Sequence, residues 1–391
     1  MPPTPTEFLK IANNTAEHFG FQTIEQLRKD PECKKCDTAI PHTVNSTNKK
    51  TDSHQGLLNS AVATFCEEKL HALERPVLLY SLGQVPRTGE TAATFHIFNV
   101  ERSIAEAILI HASRALVTDL GYTNHSVHIN SLGDSDSMTR YSRELANFLK
   151  KRLDTMPPAA RELMKEHPLH ALGNLISQNH ELALRSPNPL EYLSDPSRKH
   201  FREIIEYLDM SETPYEIDPK MLGHHECYSD AIFSLAIEAE SASGEPEEPI
   251  VARGGRINEY MQRTTRTQTP AAGAVVILKN SKAPARSPRP KRRKPSVYVV
   301  QLGFGPKIKS LLLVDSLRQA GIPVYHNLAS DSLSAQLHEA EAHKVKYTLI
   351  IGQKEFVENT VIFRDMEVRN QEYIDIETLI RRLKRKSFVT A

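Results

Sequence analysis

The stretch MLGHHECYSDAIFSLAIEAESASGEPEEPIVARGGRIN, residues 221–258, sets the reading of the chain. Two β-type runs, Ala231 to Ile237 and Ile250 to Ala252, flank the connector SASGEPEEP, whose Gly, Pro and Ser suit a solvated turn. The pattern predicts a hairpin. Phe233, Leu235 and Ile237 alternate with Ser234 and Ala236, so one face is buried and the other can line a site. Gly254 and Gly255 then let backbone approach a ligand closely, with the Arg256 guanidinium beside it.

Upstream, Phe8 to His18 has helical spacing through Phe8, Ile11, Ala12 and Ala16, Gly20 offers a stop, and Phe21 and Ile24 begin an extended stretch. Residues 29–55 are polar, a long loop or disordered insertion carrying Cys33 and Cys36. A Cys-x-x-Cys pair could hold half a zinc site, completed by His42, His54 or Cys66, but no second pair stands at a fitting spacing, and a thiol-bearing loop is the preferred reading. Residues 58–72 read as helix, and Pro76 to Ser81 and Ala93 to Val100 as strands, with Arg87 and Gly89 in the turn between them. Ile104, Ile108, Ala112, Ala115 and Leu116 form a helical stripe ending near Gly121. Val127 to Asn130 is a short strand, and Asp134 or Asp136 caps a helix ending near Lys151. A mostly helical insertion spans 156–209, and Ala271 to Leu278, apolar throughout, belongs deep in a sheet or core helix.

Lys279 to Pro295 holds four prolines and eight basic residues and cannot bury a core, so it reads as a linker. Arg286, Arg289, Lys291, Arg292, Arg293 and Lys294 fall within nine residues, a local charge hidden by the net +1 of the chain. Beyond it strands and helices alternate: Val297 to Leu302, Lys307 to Ala320, Val324 to His326, Ser334 to His343, Tyr347 to Ile351, then strands at Val361 to Phe363 and at Val368 with Tyr373 to Ile374, and a closing helix Asp375 to Arg385. That is an α/β domain with a mostly parallel sheet. The division expected is 1–280, 281–296 and 297–391, in keeping with a length of 391 residues. Hydrophobic residues at 39% and charged residues at 25% are ordinary, no apolar run approaches the roughly 20 residues of a membrane span, and MPPTPTEFLK has no secretory-signal pattern, so a cytoplasmic protein with no membrane partner is expected. Four cysteines make no disulfide framework.

HINSLGDSDSMTRYSREL from His128, PNPLEYLSDPSRKHF from Pro187, YSDAIF and GGR, TPAAG at Thr269 and nearly all of residues 297–386 resemble the histidyl-tRNA synthetases of class II and their non-catalytic relatives. The resemblance implies an α+β, antiparallel class II sheet domain followed by an α/β anticodon-binding domain, and a dimer formed through the N-terminal segment. It also implies chemistry in which ATP and magnesium activate histidine for transfer to tRNA, where arginines stabilise the charge gathering on the phosphates.

Position by position, most of that machinery is replaced. Arg87 matches the arginine that grips the α-phosphate, but the acidic residue after it is missing and Val100 stands for a glutamine. Asn280 stands for the arginine after TPAAG, with Lys279 beside it as a candidate point charge. Gly223 stands for another arginine, and of a tyrosine pair Tyr228 remains while Cys227 replaces its partner. Ile257 and Asn258 replace Tyr-Asp, Leu27 a proline, and Ala61 the acidic residue of the histidine-reading segment. The residues left for a ligand pocket are Arg87, Tyr228, Gly254, Gly255 and Arg256, with an ion pair to a neighbouring carboxylate as the equal alternative for Arg256; His224 and His225 read as surface or packing residues.

The resulting expectation is a homodimeric synthetase-like protein that has lost aminoacylation and binds tRNA or another structured RNA through its C-terminal domain, in a regulatory or accessory role. The basic cluster adds a sequence-independent attraction for phosphate. An active histidine-tRNA ligase is the alternative. A regulatory subunit like that of ATP phosphoribosyltransferase is disfavoured by residues 297–386, because that relative typically lacks such a domain.

Overall fold

A computed structural model describes residues 3–29, 53–73, 75–223, 227–237, 239–240, 246–284 and 294–388. Cys33, Cys36, His42, His224, His225, Arg286, Arg289, Lys291, Arg292 and Arg293 lie outside the described residues.

The chain opens with helix α1 (Pro5–His18), capped by the Thr4 hydroxyl, which accepts from the Glu7 amide. The extended stretch expected at Ile24 is instead a short helix, α2 (Ile24–Leu27). Thr23 and Gln26 explain it: each side chain accepts from the other's backbone amide, a capping box that satisfies two otherwise unpaired donors. Helix α3 (Ser53–Glu67) ends before Lys69, whose left-handed φ of 56° breaks the helix expected to run on to residue 72. Strands β1 (Val77–Gln84) and β2 (Thr91–Phe98) pair antiparallel around the Arg87 turn, and α4 (Ile104–Asp119) follows. Then come β3 (His125–Gly133) and α5 (Ser135–Lys150), capped by Asp134, whose carboxylate accepts from the Ser137 amide.

The insertion packs α6 (Pro158–Glu166), α7 (Pro168–Ser177), α8 (Glu181–Leu184) and α9 (Asp195–Met210). After β4 (Tyr215–Ile217), strand β5 (Ser229–Ile237) runs into a two-stranded extension, β6 (Ala239–Glu240) against β7 (Pro246–Glu247), and returns as β8 (Ile250–Arg256). Helix α10 (Asn258–Thr265) and β9 (Ala271–Leu278) complete a seven-stranded sheet in the order β1-β2-β9-β8-β5-β3-β4, antiparallel except for the β3–β4 edge. Phe233 and Leu235 join α1, α4 and α9 in the core on one face, while Ile232 and Val275 turn to the other face with α3, α5 and α7.

The second sheet is β11 (Val324–His326), β10 (Val297–Gln301), β12 (Tyr347–Ile351), β13 (Thr360–Asp365) and β14 (Gln371–Asp375), in that spatial order. Helices α11 (Phe304–Gln319), α12 (Leu333–Ala342), α13 (Gln353–Glu358) and α14 (Ile376–Phe388) complete it. Its parallel part is the β11-β10-β12 trio; β13 and β14 run antiparallel, so the sheet is mixed. Val368, expected in a strand, sits in a turn because the Asp365 carboxylate accepts from the Glu367 and Val368 amides. The two sheet units share a core and close on each other through Tyr207 against Phe304 (ring centroids 4.6 Å apart), Arg102 on Asp331 (3.2 Å), and Arg318 on Asp119. Among the described residues no helix is long and apolar enough to cross a membrane.

Two core histidines make this fold acid-sensitive. Burial alone pushes His96 down to about 3, and burial, with Arg114 beside it, pushes His111 to about 4. The native state refuses protons that the unfolded chain accepts near pH 6.5, so this stability is complete above that pH and is lost as pH falls toward 4. The urea midpoint should drop between pH 7 and pH 5, approaching about 1.4 kcal/mol per pH unit for each histidine. His96→Leu should cut that slope by about half, and an unchanged slope would show that His96 is not the source.

Candidate functional site

The face of the first sheet turned away from α4 presents Val251, Arg253 and Gly255 of β8 beside Ile232 and Ser234 of β5. The loop that turns at Gly223 (φ 54°) and one side of α7 fold over it, leaving a cleft of about 290 Å³. Ile232, Phe233, Gly254, Met221, Ile176 and Tyr228 form most of its wall, with Lys220 and Arg253, both exposed, at the mouth. The polar groups inside are engaged. The Ser234 hydroxyl donates to Met221 Sδ (3.3 Å), and the Tyr228 hydroxyl lies 2.5 Å from His54 Nε2. Burial holds the Tyr228 phenol well above its usual pKa, with Arg253 pulling the other way, so the phenol stays protonated and can donate to His54.

The two glycines are required by their own neighbours. A Cβ on Gly254 would stand 2.6 Å from Phe233 Cζ and 2.8 Å from the Gly273 carbonyl; one on Gly255 would stand 2.5 Å from the Ala231 carbonyl and 3.0 Å from Tyr228 Cδ1. Neighbouring strands and Phe233 approach here as closely as a ligand was expected to.

Arg256 takes the ion-pair alternative. It is 1% exposed, its Nε and Nη2 donate to the Glu106 carboxylate at 2.7 and 2.6 Å, and Nη1 and Nη2 donate to the carbonyls of Val100 and Arg102. His200 Nε2 lies 2.9 Å from the same carboxylate. Burial would raise the Glu106 carboxyl, but Arg256 and then His200 outweigh it and hold it well below the usual carboxylate range. Burial works against charge on His200, and Glu106 overcomes it and raises the imidazole. The group is a bidentate, carbonyl-capped pair on the helix side of the sheet, facing away from the cleft.

Arg87 is elsewhere again. It is exposed in the β1–β2 turn with φ 78°, past the register Gln84–Thr91–Leu278–Ile250, whereas Arg256 aligns with Ala272 and Ile97 at the other end of those strands. Asn280 and Lys279 are exposed after β9, and the Asn280 amide donates to Glu90 Oε1 (3.3 Å). A carboxylate therefore stands beside Asn280, near the Arg87 turn. This does not fit a bound triphosphate: the position that the resemblance assigns to a cation supplies a backbone amide, and the carboxylate beside it repels the phosphates unless a metal stands between them. Cys227, Ile257 and Ala61 are buried, and Gly223 contributes no side chain to the cleft.

Thus Tyr228 and Gly254 meet in the cleft, Gly255 backs Tyr228, and Arg87 and Arg256 lie apart from it. Lys294, the one described member of the basic cluster, is exposed. Among the described residues no group of three or more His, Cys, Asp or Glu could hold a metal, and Cys66 and Cys227 are buried and outside any disulfide. Sequence reasoning missed Glu106, Arg253, Lys220 and Glu90, and considered His54 only as a zinc ligand rather than as the partner of Tyr228. A signal existed for Glu106, an acid inside the apolar stripe of α4, because a carboxylate there demands a buried cation. The others depend on contacts far apart in sequence.

An anticodon binding domain model matches residues 297–386. Histidine-tRNA ligases from a Geobacillus strain and from Geobacillus thermodenitrificans are 26% identical over 338 residues and 28% identical over 342 residues. Each alignment covers 83% of this chain, with 79% and 80% of the relatives respectively. The apo S. aureus histidyl-tRNA synthetase structure superposes with a TM-score of 0.50 at 15% identity, covering 96% of this chain and 94% of that one. The seven-stranded antiparallel sheet followed by an anticodon-binding domain is the class II aminoacyl-tRNA synthetase fold. Over most of its length the chain is similar to histidine-tRNA ligases, and residues 297–386 match the anticodon binding domain.

Proposed function

We propose that this protein is a synthetase-like tRNA-binding or RNA-binding protein, cytoplasmic and homodimeric, that does not aminoacylate and acts in a regulatory or accessory role. In this reading residues 1–280 are a scaffold, 281–296 a basic tether and 297–391 the RNA-binding unit. One observation carries it: the positions that should act on ATP and histidine hold Gly223, Cys227, Ile257 and Asn280, with Glu90 bonded to the last, while residues 297–386 keep the anticodon-binding pattern. The test is histidine-dependent exchange of pyrophosphate into ATP with tRNA present; none above background is expected, and clear exchange sinks the reading. The active-ligase alternative draws its support from the relatives' names and needs Arg87 and Lys279 to supply all the charge stabilisation.

The RNA half is tested separately. Tyr373 is 56% exposed on the outer face of β14, in register with Ile362 and through it Ile350, and the Lys354 ammonium lies 5.0 Å from its ring. An exposed ring beside a cation suits an unpaired base. Tyr373→Ala should weaken tRNA binding by about 1–3 kcal/mol in filter binding, and affinity should fall steeply with salt if the basic tether takes part. A flat salt response would remove the tether from the interface.

A further inference from the structure

The 290 Å³ cleft is at the small end of the range for ligand sites, roughly 300–1,000 Å³. Its chemistry differs from that of an amino-acid site. Among the described residues no carboxylate lines it, so an ammonium group entering it would be desolvated without a counter-charge from any of them. Among the described residues the charges at the mouth are both positive, Lys220 and Arg253, and neither forms an ion pair with a described residue. The interior is aliphatic and aromatic, and its hydroxyls are bonded to Met221 and His54. At Gly173, on the α7 side, there is open space: a Cβ there meets no atom within 4 Å.

We propose that this cleft binds a small anion with an apolar body, of the carboxylic-acid class, and rejects free amino acids. The body fills the space between Ile232 and Ile176, and the carboxylate reaches Arg253 and Lys220 at the mouth. The inference rests on the non-catalytic reading, since a working synthetase would have to accept histidine at this face.

Ligand-observed NMR on the full-length protein, with hydrocinnamate, phenylpropylamine, L-phenylalanine and L-histidine as probes, tests it. Hydrocinnamate should bind saturably and the three amines should not. Arg253→Ala and Lys220→Ala, both at exposed positions, should each weaken hydrocinnamate about threefold, the size expected of a partly solvated ion pair. Gly173→Leu fills the open space from a helix, where leucine is favoured over glycine, so it should abolish binding with the melting temperature unchanged or raised. Binding of L-histidine or phenylpropylamine as tight as that of hydrocinnamate, or hydrocinnamate binding that survives Gly173→Leu, overturns the proposal. Exchange activity would sink the non-catalytic reading itself, whereas a cleft indifferent to charge in an exchange-inactive protein sinks only this inference.

Discussion

Glu106→Gln should destabilise the synthetase-like core by about 3–5 kcal/mol in urea unfolding, because it leaves a buried guanidinium without its counter-charge. The shape is nearly conserved, so the loss measures charge rather than a cavity. Arg256 is 1% exposed, and its two carbonyl acceptors, Val100 and Arg102, cannot neutralise it. His200 gives an internal check: with the carboxylate gone, the interaction that raises its pKa disappears. The double variant Glu106→Leu with Arg256→Met removes both charges and should be more stable than Glu106→Gln alone, as apolar replacement of buried pairs is often neutral. If the two single losses simply add, the residues are not coupled and the pair is not what holds β8 to α4.

If the proposed non-catalytic reading holds, histidine-dependent exchange should lie at least about 10⁴-fold below that of an intact site, since one preorganised donor is typically worth about 10² to 10³ and the resemblance places two of them at Gly223 and Asn280. Restoring one arginine should not recover it. In Asn280→Arg the new guanidinium would meet Glu90, which already accepts from the Asn280 amide, and would pair with it before reaching a phosphate. Gly223 has φ 54°, a conformation an arginine adopts only with strain, so that position resists reversal as well. A turnover of about 1 s⁻¹ or more, ordinary for an enzyme, would show that Arg87 and Lys279 suffice and that the site is unusual rather than lost.

The pattern of the chain by itself determined most of the elements and the family resemblance: the alternation in β5, the apolar run of β9 and the Asp134 cap are local signals, each written within a dozen residues, and the α/β order after residue 297 is a succession of such signals. Local signals mislead where side chains satisfy backbone groups at short range, as Thr23 with Gln26 and Asp365 with the turn at Val368 show. Tertiary structure alone decided the roles of the site residues. Arg256 became a core residue because Glu106, 150 positions away, meets it behind the sheet. Gly254 and Gly255 proved to be packing glycines because Phe233, Tyr228 and neighbouring backbone press on them, and Tyr228 lost its free hydroxyl to His54. The physical reason is common to all three: burial and charge pairing depend on which groups meet across strands and helices, and neighbours in sequence do not specify that meeting.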